Sequence, residues 1–246
     1  MAKQPVLVTG GMGGLGEAIS VKLYDAGYTV AVTHSPNNTG AETWLARMAG
    51  RQFHAYVVDV GDDDSCRQCA QQIKNEVAPN RHSDQQRGHY ARCELQETGQ
   101  GQLGRGGPDQ SRFSVQHDET GVCEDMVERG WGRIINVSSI IASKGGFGQT
   151  NYAAAKAGMH GFTKSLALEV AKKGVTVNKF SHGFIATKMV TAAPQDVLDT
   201  KIIPQIPVGR LGQPEEVAAL VVYLCSREAA LVTGANFAIN GGQHPQ

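Results

Sequence analysis

A glycine-rich turn between an apolar strand and a helix is the feature that most restricts how this chain can fold. Pro5 to Val8 is a short apolar run that predicts a buried strand, and Glu17 to Ala26 predicts the helix that follows. Between them stands TGGMGGLG. Glycines at this spacing permit a tight turn and a close backbone approach to a pyrophosphate, which the N-terminus of the helix attracts. The pattern therefore predicts a dinucleotide-binding α/β fold.

The second feature is a strand, a loop and a helix between Gly132 and Gly158. Arg133 to Val137 is rich in β-branched residues and predicts a buried strand, whereas the Ala-rich run from Tyr152 to Gly161 predicts the start of a helix. Tyr152 and Lys156 are four residues apart, so they share one helix face. An ammonium beside a phenol lowers the pKa of the phenol, which makes it a usable proton donor or acceptor near neutral pH.

Ser139 stands where the strand ends, thirteen residues before Tyr152, and its hydroxyl can point to the same place. A Tyr-x-x-x-Lys pair alone arises easily by chance in an ordinary amphipathic helix. The added Ser, its spacing and the strand-loop-helix context favour an active site over that interpretation.

These residues resemble the active site of the short-chain dehydrogenase/reductases, in the setting NVSS…NYAAAKAG. The family's TGxxxGxG pattern is matched by Gly10, Gly14 and Gly16. The resemblance covers Val6 to Val77 and Val122 to Gly242, and it fails in between. It implies one domain over residues 1–246, built as a single doubly wound Rossmann-type parallel sheet with helices on both faces.

The resemblance also implies a reaction, the NADPH-dependent reduction of acetoacetyl-CoA to (3R)-3-hydroxybutyryl-CoA, as in polyhydroxybutyrate synthesis. Tyr152 would donate the proton, Lys156 would lower the pKa of Tyr152 and hold the ribose, and Ser139 would bond the carbonyl oxygen. Two alternatives are an acyl-carrier-protein substrate and, in another class, an inactive nucleotide-binding subunit. The C-terminal block is similar to the one with which relatives build a tetramer, so we expect a homotetramer.

The same resemblance implies a set of contacts with the cofactor and the acyl group. Cofactor contacts are expected at Gly10, Met12, Gly13, Gly14, Leu15, Gly16, Asp59, Tyr152, Lys156, Gly183, Ile185 and Thr187. Substrate contacts are expected at Phe147, Gln149 and Phe184. A structural role, capping the next helix, is the alternative for Asp59. Loop packing is the alternative for Phe147 and Gln149.

The loop after the second predicted strand, Thr29 to Thr33, favours NADPH over NADH. Folds that prefer NAD usually place an acid there for the ribose hydroxyls. Here the loop reads His34-Ser35-Pro36-Asn37-Asn38-Thr39, and the next acid is Glu42. A 2′-phosphate would meet no repulsion in this loop, although the chain has no Arg before Arg47 to bind it.

Other segments complete the predicted fold. Phe53 to Val60 predicts the third strand, Met189 to Ile203 a helical lid, and Phe237 to Gly242 the last strand. His182 stands where relatives usually carry Pro, and a tolerated substitution is a better interpretation than a catalytic acid. His160 follows Lys156 on the same predicted helix, and we expect it to pack.

The segment from Ala78 to Gly121 does not fit the fold. Only eight of its 44 residues are apolar, against 41% for the whole chain, so the literal sequence predicts loop or disorder. Shifted by one base, the codons of Asp84 to Gly88 reread as Ile-Asn-Asn-Ala-Gly, the family's missing motif. The same shift places the family's active-site Asn on Gln110. We interpret residues 78–121 as frameshifted between two compensating errors.

Composition excludes several other classes. The chain carries 23 basic and 23 acidic residues, which favours neither nucleic acid nor a membrane surface as a partner. No apolar run approaches a membrane span, and the first residues read as a strand and not a signal peptide. Five cysteines without a framework spacing are typical of the reducing cytoplasm. Cys66 and Cys69 form a C-x-x-C pair that we interpret as two incidental helix residues, so no metal site is predicted.

Overall fold

The computed structural model describes residues 5–77, the strand at 90–94 and residues 122–245. Within them, seven strands form one parallel sheet in the order β3-β2-β1-β4-β5-β6-β7. The strands are β1 Pro5–Val8, β2 Thr29–His34, β3 Phe53–Val57, β4 Tyr90–Glu94, β5 Gly132–Ser139, β6 Val175–His182 and β7 Asn236–Ile239. The strand order reverses between β1 and β4, which makes a crevice for ligands at the carboxyl ends of the strands.

Helices cover both faces of the sheet, which confirms the predicted doubly wound α/β fold. The α-helices of the described residues are α1 Gly14–Asp25, α2 Ala41–Arg47, α3 Asp63–Val77, α4 Val122–Glu128, α5 Ile141–Lys144, α6 Thr150–Val170, α7 Lys188–Thr191, α8 Gln195–Val197 and α9 Pro214–Cys225. Alternate strand residues face opposite sides. Val6 and Val8 therefore share a core with α1, α2 and α9, whereas Leu7 packs toward α3. On that second side, Ile134 and Val177 pack with α4 and α6.

Three predicted elements differ from the structure. The third strand ends at Val57 and not at Val60, and the last strand ends at Ile239. Gly241 and Gly242 both have positive φ, 60° and 81°, so they turn the chain out of the sheet. The predicted lid helix is broken: α7 and α8 are separated before a π-helical turn at Leu198–Ile202. Pro194 stands at the break, where its ring prevents a continuous helix.

The prediction that the literal residues 78–121 contain no strand is wrong at one place. Tyr90–Glu94 forms β4 in the middle of the sheet, where Val6 to Val8 pair with Ala91 to Cys93. On its other side β4 pairs with β5 from Gly132 to Asn136. The backbone ladder does not depend on side-chain type, so a polar sequence can supply the central strand. Gln110 and the rest of the reread segment lie outside the described residues.

Cys66 and Cys69 lie on a helix, α3, as the sequence predicted, and the structure shows in addition that both are core residues. Both are buried against Leu7, Ala31 and Tyr56. Burial raises the pKa of the Cys69 thiol to about 11, with the neighbouring Cys66 adding to the shift, so this thiol is neutral and unreactive at physiological pH. Across the described part of the chain, no helix has the length and apolar character needed to cross a membrane.

A buried amine lies in the middle of β6. The side chain of Lys179 is 1% exposed, and among the described residues its Nζ finds no hydrogen-bond partner. Burial, together with the charge of Lys164, lowers the pKa of Lys179 from 10.5 to about 7. An unpaired ammonium is expensive to bury, so this group destabilises the fold whenever it is protonated.

We therefore predict that Lys179→Met stabilises the protein and flattens its pH dependence. The unfolded chain binds more protons than the folded one between pH 7 and pH 10.5, so the free energy of unfolding rises with pH across that window. Below pH 7 the full cost remains, up to ~5 kcal/mol. Urea unfolding at pH 6.5 and pH 9.5 should show this rise in the parent and a smaller rise in the variant. An equal rise in both proteins would contradict the assignment.

Candidate active site

The residues predicted to carry the chemistry lie at the carboxyl edge of the sheet. Ser139 is the last residue of β5, and its Cα pairs with that of His182 at the end of β6. Tyr152 and Lys156 lie in the first two turns of α6, which begins at Thr150. This is the edge at which open α/β sheets bind their ligands.

Two hydrogen bonds fix the start of α6 against the end of β5. The Nζ of Lys156 donates to the carbonyl oxygen of Val137 at 2.9 Å, and the Oγ of Ser138 donates to the carbonyl oxygen of Lys156 at 3.1 Å. The Lys156 side chain is 1% exposed, and its Nζ lies 5.8 Å from the centre of the Tyr152 ring. The structure therefore brings a buried cation to a half-buried phenol, where it favours negative charge on the phenol oxygen.

Ser139 is buried at the same edge. Its Oγ accepts a hydrogen bond from the backbone N–H of Ile141 at 3.2 Å. That contact uses a lone pair of the hydroxyl and leaves its hydrogen for a second partner. Ser139 can thus donate a hydrogen bond to a carbonyl oxygen held near Tyr152. The anchoring role of Ser138 was missed by the sequence analysis, although the adjacent Ser in NVSS was a signal for it.

The glycine turn is shaped by backbone positions that only Gly tolerates. Gly10 and Gly14 have positive φ, 64° and 45°. A Cβ added to Gly16 would overlap the carbonyl oxygen of Gly10, because the two atoms would lie closer together than real Cβ contacts ever do. Gly13 is the N-cap of α1, has no capping side chain, and has open space where its Cβ would be. The turn leaves room for a pyrophosphate at the N-terminus of α1, so these residues fit a dinucleotide.

Two side chains support this turn from outside the glycine motif. The N–H of Gly10 donates to Thr33 Oγ1 at 3.3 Å, and the Oγ of Ser20 donates to the carbonyl oxygen of Gly11 at 3.0 Å. Met12 and Leu15 are buried in the core below the turn. Only their backbone groups are therefore placed to meet a cofactor.

The loop after β2 contains polar groups and no carboxylate before Glu42. Asn38 Oδ1 accepts a hydrogen bond from the N–H of Gly40 at 2.9 Å, which rigidifies the loop. Arg47 lies on α2, and its Nη2 contacts Glu17 Oε2 at 2.6 Å. That guanidinium is therefore committed to α1 and is not directed at the loop.

Asp59 follows β3 and is exposed. Its Oδ1 accepts a hydrogen bond from the N–H of Gly61 at 2.9 Å, which closes a short turn. The next helix is capped instead by Asp62, whose Oδ1 accepts from the N–H of Asp64 at 3.0 Å. The alternative that Asp59 caps α3 is therefore wrong, and a cofactor contact by Asp59 stays a prediction.

The loop after β6 is held by two other segments. The N–H of Gly183 donates to Ile239 O at 3.3 Å, and the N–H of Ala186 donates to Gly212 O at 2.8 Å. Ile185 is buried in the core, so its backbone and not its side chain is available to a cofactor. Thr187 is the N-cap of α7 without a side-chain capping bond. Contacts of this loop with a nicotinamide ring stay a prediction.

His182 is held as a neutral imidazole. Burial lowers the pKa of His182, the hydrogen bond to Gly183 opposes this shift, and the charge of Lys156 reinforces it. The contact from Nδ1 to the carbonyl oxygen of Gly183 is 2.8 Å, and a carbonyl can only accept, so Nδ1 carries the hydrogen. A neutral ring is a poor proton donor, which disfavours His182 as the catalytic acid. His160 is also a neutral imidazole, because burial and the charge of Lys179 lower its pKa to about 4.

The predicted substrate residues lie on the loop between β5 and α6 and on the loop after β6. Gly145 and Gly148 both have φ of 71° and turn the first loop. Phe147 between them is fully exposed, so the loop-packing alternative is wrong for Phe147. Gln149 and Phe184 are half-buried. A large apolar side chain in solvent at this edge is available to an acyl group, and that contact stays a prediction.

Comparison with known proteins gives consistent matches. A family model described as short chain dehydrogenase matches residues 4–80, and one described as Enoyl-(Acyl carrier protein) reductase matches residues 119–244. An acetoacetyl-CoA reductase of Cupriavidus necator is 43% identical over 250 residues, covering 99% of each chain. An acetoacetyl-CoA reductase of Shinella zoogloeoides is 41% identical over 244 residues, 96% of this chain and 97% of its own.

A further relative matches a shorter part of the chain. A 3-oxoacyl-[acyl-carrier-protein] reductase of Vibrio cholerae is 51% identical over 123 residues, half of each chain. The two family models leave residues 81–118 unmatched, which nearly coincides with the segment that the sequence analysis set apart. Similarity over nearly the whole length, together with the glycine turn and the Lys156–Tyr152 geometry, leads to one conclusion: the chain is an oxidoreductase and belongs to the short-chain dehydrogenase/reductase family.

Proposed function

We propose that this protein reduces acetoacetyl-CoA to (3R)-3-hydroxybutyryl-CoA with NADPH, the reductive step of polyhydroxybutyrate synthesis. The observation that carries the proposal is the Nζ of Lys156 anchored to Val137 O below the Tyr152 ring. Two acetoacetyl-CoA reductases at 41–43% identity over almost the full chain support the substrate. Comparing turnover of acetoacetyl-CoA with that of the matching acyl-carrier-protein thioester tests it.

The nicotinamide cofactor of this family, when bound, supplies hydride to the 3-keto carbon. Residues of this chain bind and protonate the carbonyl oxygen that gains negative charge. Tyr152 donates its phenolic proton to that oxygen, and Ser139 donates a hydrogen bond that holds the carbonyl in place. Lys156 stabilises the phenolate that Tyr152 becomes. The product is the 3-hydroxy thioester, and Tyr152 regains its proton from solvent.

The rival substrate within the family is an acyl-carrier-protein thioester, which the match to the Vibrio cholerae reductase favours over half the chain. Faster turnover of the carrier-protein thioester would assign the protein to that reaction. We also propose a homotetramer. Sedimentation of the purified protein measures its oligomeric state directly.

We predict that the parent enzyme prefers NADPH and that Ser35→Asp reverses the preference. Ser35 is exposed just past β2, so an aspartate there would repel a 2′-phosphate. The kcat/KM for NADPH should fall at least ~10-fold, equivalent to ~1.4 kcal/mol, while that for NADH is kept. Gln52→Asp adds the same charge before β3, at the opposite end of the strand pair, and serves as the control. A parent kcat/KM that favours NADH would overturn the prediction.

We further predict that active preparations contain the reread form of residues 78–121. The literal segment lacks the Asn that the family resemblance places on Gln110, and neither family model spans residues 81–118. Peptide mass mapping of a sample with measured activity decides the question. Peptides of the literal segment in active enzyme would refute the frameshift interpretation.

A further inference from the structure

A cavity lies at the end of the sheet opposite the active site. It has a volume of about 440 Å³ and lies at the amino ends of β5 and β6, whereas Ser139 ends β5. At ~3.3 Å per residue, the eight-residue strand β5 separates the two sites by more than ~20 Å. This volume is within the ~300–1,000 Å³ of small-molecule pockets. The residues that matter here are Arg129, Trp131, Arg133, Thr176, Arg227 and Thr233.

Arg133 brings a buried positive charge to this cavity. Its side chain is 2% exposed, and its guanidinium lies 4.5 Å from the centre of the Trp131 ring. Nε donates to Ser226 O at 3.1 Å and Nη1 donates to Gly132 O at 2.8 Å. These partners are neutral carbonyls, and within the described ranges no carboxylate forms an ion pair with Arg133 or lines the cavity. A buried charge without a counterion is unfavourable.

The ionisable groups around Arg133 do not compensate its charge. Burial raises the pKa of Cys225 to about 12 and that of Tyr28 to about 12. Both groups are therefore neutral at physiological pH. Glu228 is exposed, hydrogen bonds from backbone N–H groups and the charge of Arg227 lower its pKa, and it is not among the groups that shift the pKa of Arg133. The charge of Arg133 thus lacks an anion from the described part of the protein.

Thr176 adds an unused hydroxyl beside this charge. Its Cα pairs with that of Arg133, so both side chains stand on the same face of the sheet. Thr176 is 5% exposed, and its Oγ1 has no hydrogen-bond partner in the described residues. Burying a hydroxyl without a hydrogen-bond partner is unfavourable. A ligand that accepts hydrogen bonds from Thr176 and Arg133 would satisfy both groups.

We propose that this cavity is a binding site for a phosphate-bearing small molecule, separate from the nucleotide site. Guanidinium groups bind phosphate and carboxylate with paired hydrogen bonds. Of the three arginines that line the cavity, Arg133 is bonded to carbonyl oxygens, and a phosphate dianion offers it more negative charge than a carboxylate does. The site stands on residues that the reduction reaction does not use.

Inorganic phosphate is the probe that tests this site. Calorimetric titration is done on the full chain with NADPH at saturation, so that the glycine turn is occupied, and at constant ionic strength. We expect Arg227→Gln to raise the Kd for phosphate at least tenfold, because it removes a positive charge from the lining of the cavity. Arg227 is exposed, so its side chain can be replaced without unpacking the core. Thr176→Val, which keeps the shape and removes the hydroxyl, should raise the Kd at least threefold.

Arg51→Gln is the matched control, because Arg51 is an exposed arginine bonded to Asp25 and lies away from the cavity. Its Kd for phosphate should equal that of the parent. If the parent protein does not bind phosphate, the proposal is overturned. The same holds if the Kd for phosphate is unchanged in both Arg227→Gln and Thr176→Val. Because the comparison is between variants, it reads out the cavity even if the proposed substrate is wrong.

Discussion

Tyr152→Phe is expected to lower kcat by ~10²–10⁴-fold while the affinity for NADPH stays unchanged. The substitution removes the phenolic oxygen that is proposed to give its proton to the substrate. The ring itself remains, and with it the contact to Lys156, whose Nζ lies 5.8 Å from the ring centre. Lys156 also keeps its hydrogen bond to Val137 O, so the start of α6 should stay docked on β5.

The measurement is the steady-state rate with acetoacetyl-CoA, together with fluorescence titration of NADPH. Tyr223→Phe is the control, because Tyr223 is an exposed tyrosine on α9 and is not one of the residues assigned to the active site. Activity of Tyr152→Phe within threefold of the parent would remove Tyr152 from the mechanism. A loss of NADPH affinity instead would show that the hydroxyl serves binding.

Gly16→Ala is expected to disrupt the nucleotide site and lower the free energy of unfolding by ~1–3 kcal/mol. The added methyl group would overlap the backbone of Gly10, and neither backbone segment can move without changing the turn. We expect the KM for NADPH to rise ~10–100-fold, since each tenfold corresponds to ~1.4 kcal/mol.

Gly13→Ala is the matched control within the same turn. A Cβ at Gly13 meets no atom within 4 Å, and the N-cap loses at most ~1 kcal/mol when Ala replaces Gly. Urea unfolding without cofactor should therefore separate the two variants. Equal stability of both would show that the turn relaxes around Gly16 and that close packing is not what the glycine provides.

Much of the candidate site could be predicted from local patterns. The Tyr152–Lys156 spacing placed both residues on α6, and the glycine motif placed a turn before α1, as the structure shows. Such spacing is informative because a helix brings residues four apart to one face whatever surrounds it. The ends of helices and strands were harder to predict. Gly241 and Gly242 turn the chain away after β7 because their φ values are positive, and the sequence alone does not give those values.

The composition of residues 78–121 was a poor guide to strand formation. Its polarity argued against any strand, yet Tyr90–Glu94 fills the gap between β1 and β5. Two neighbouring strands offer unpaired backbone groups there, and satisfying them outweighs the weak strand preference of the segment. For residues 78–121, local strand preference and position in the sheet therefore point in opposite directions. Peptide mass mapping of active enzyme tests the sequence of this segment.

By itself, the sequence determined the fold class and placed Ser139 at the end of a strand and Tyr152 and Lys156 on one helix, because these depend on motifs of short spacing. Only the tertiary structure decided which groups meet across long distances. It directs Arg47 to Glu17, buries Met12 and Leu15 below the turn, and anchors Lys156 on Val137. It also gathers Arg129, Arg133 and Arg227 around one cavity. Such meetings depend on how β5, β6 and α9 pack, which no local pattern encodes.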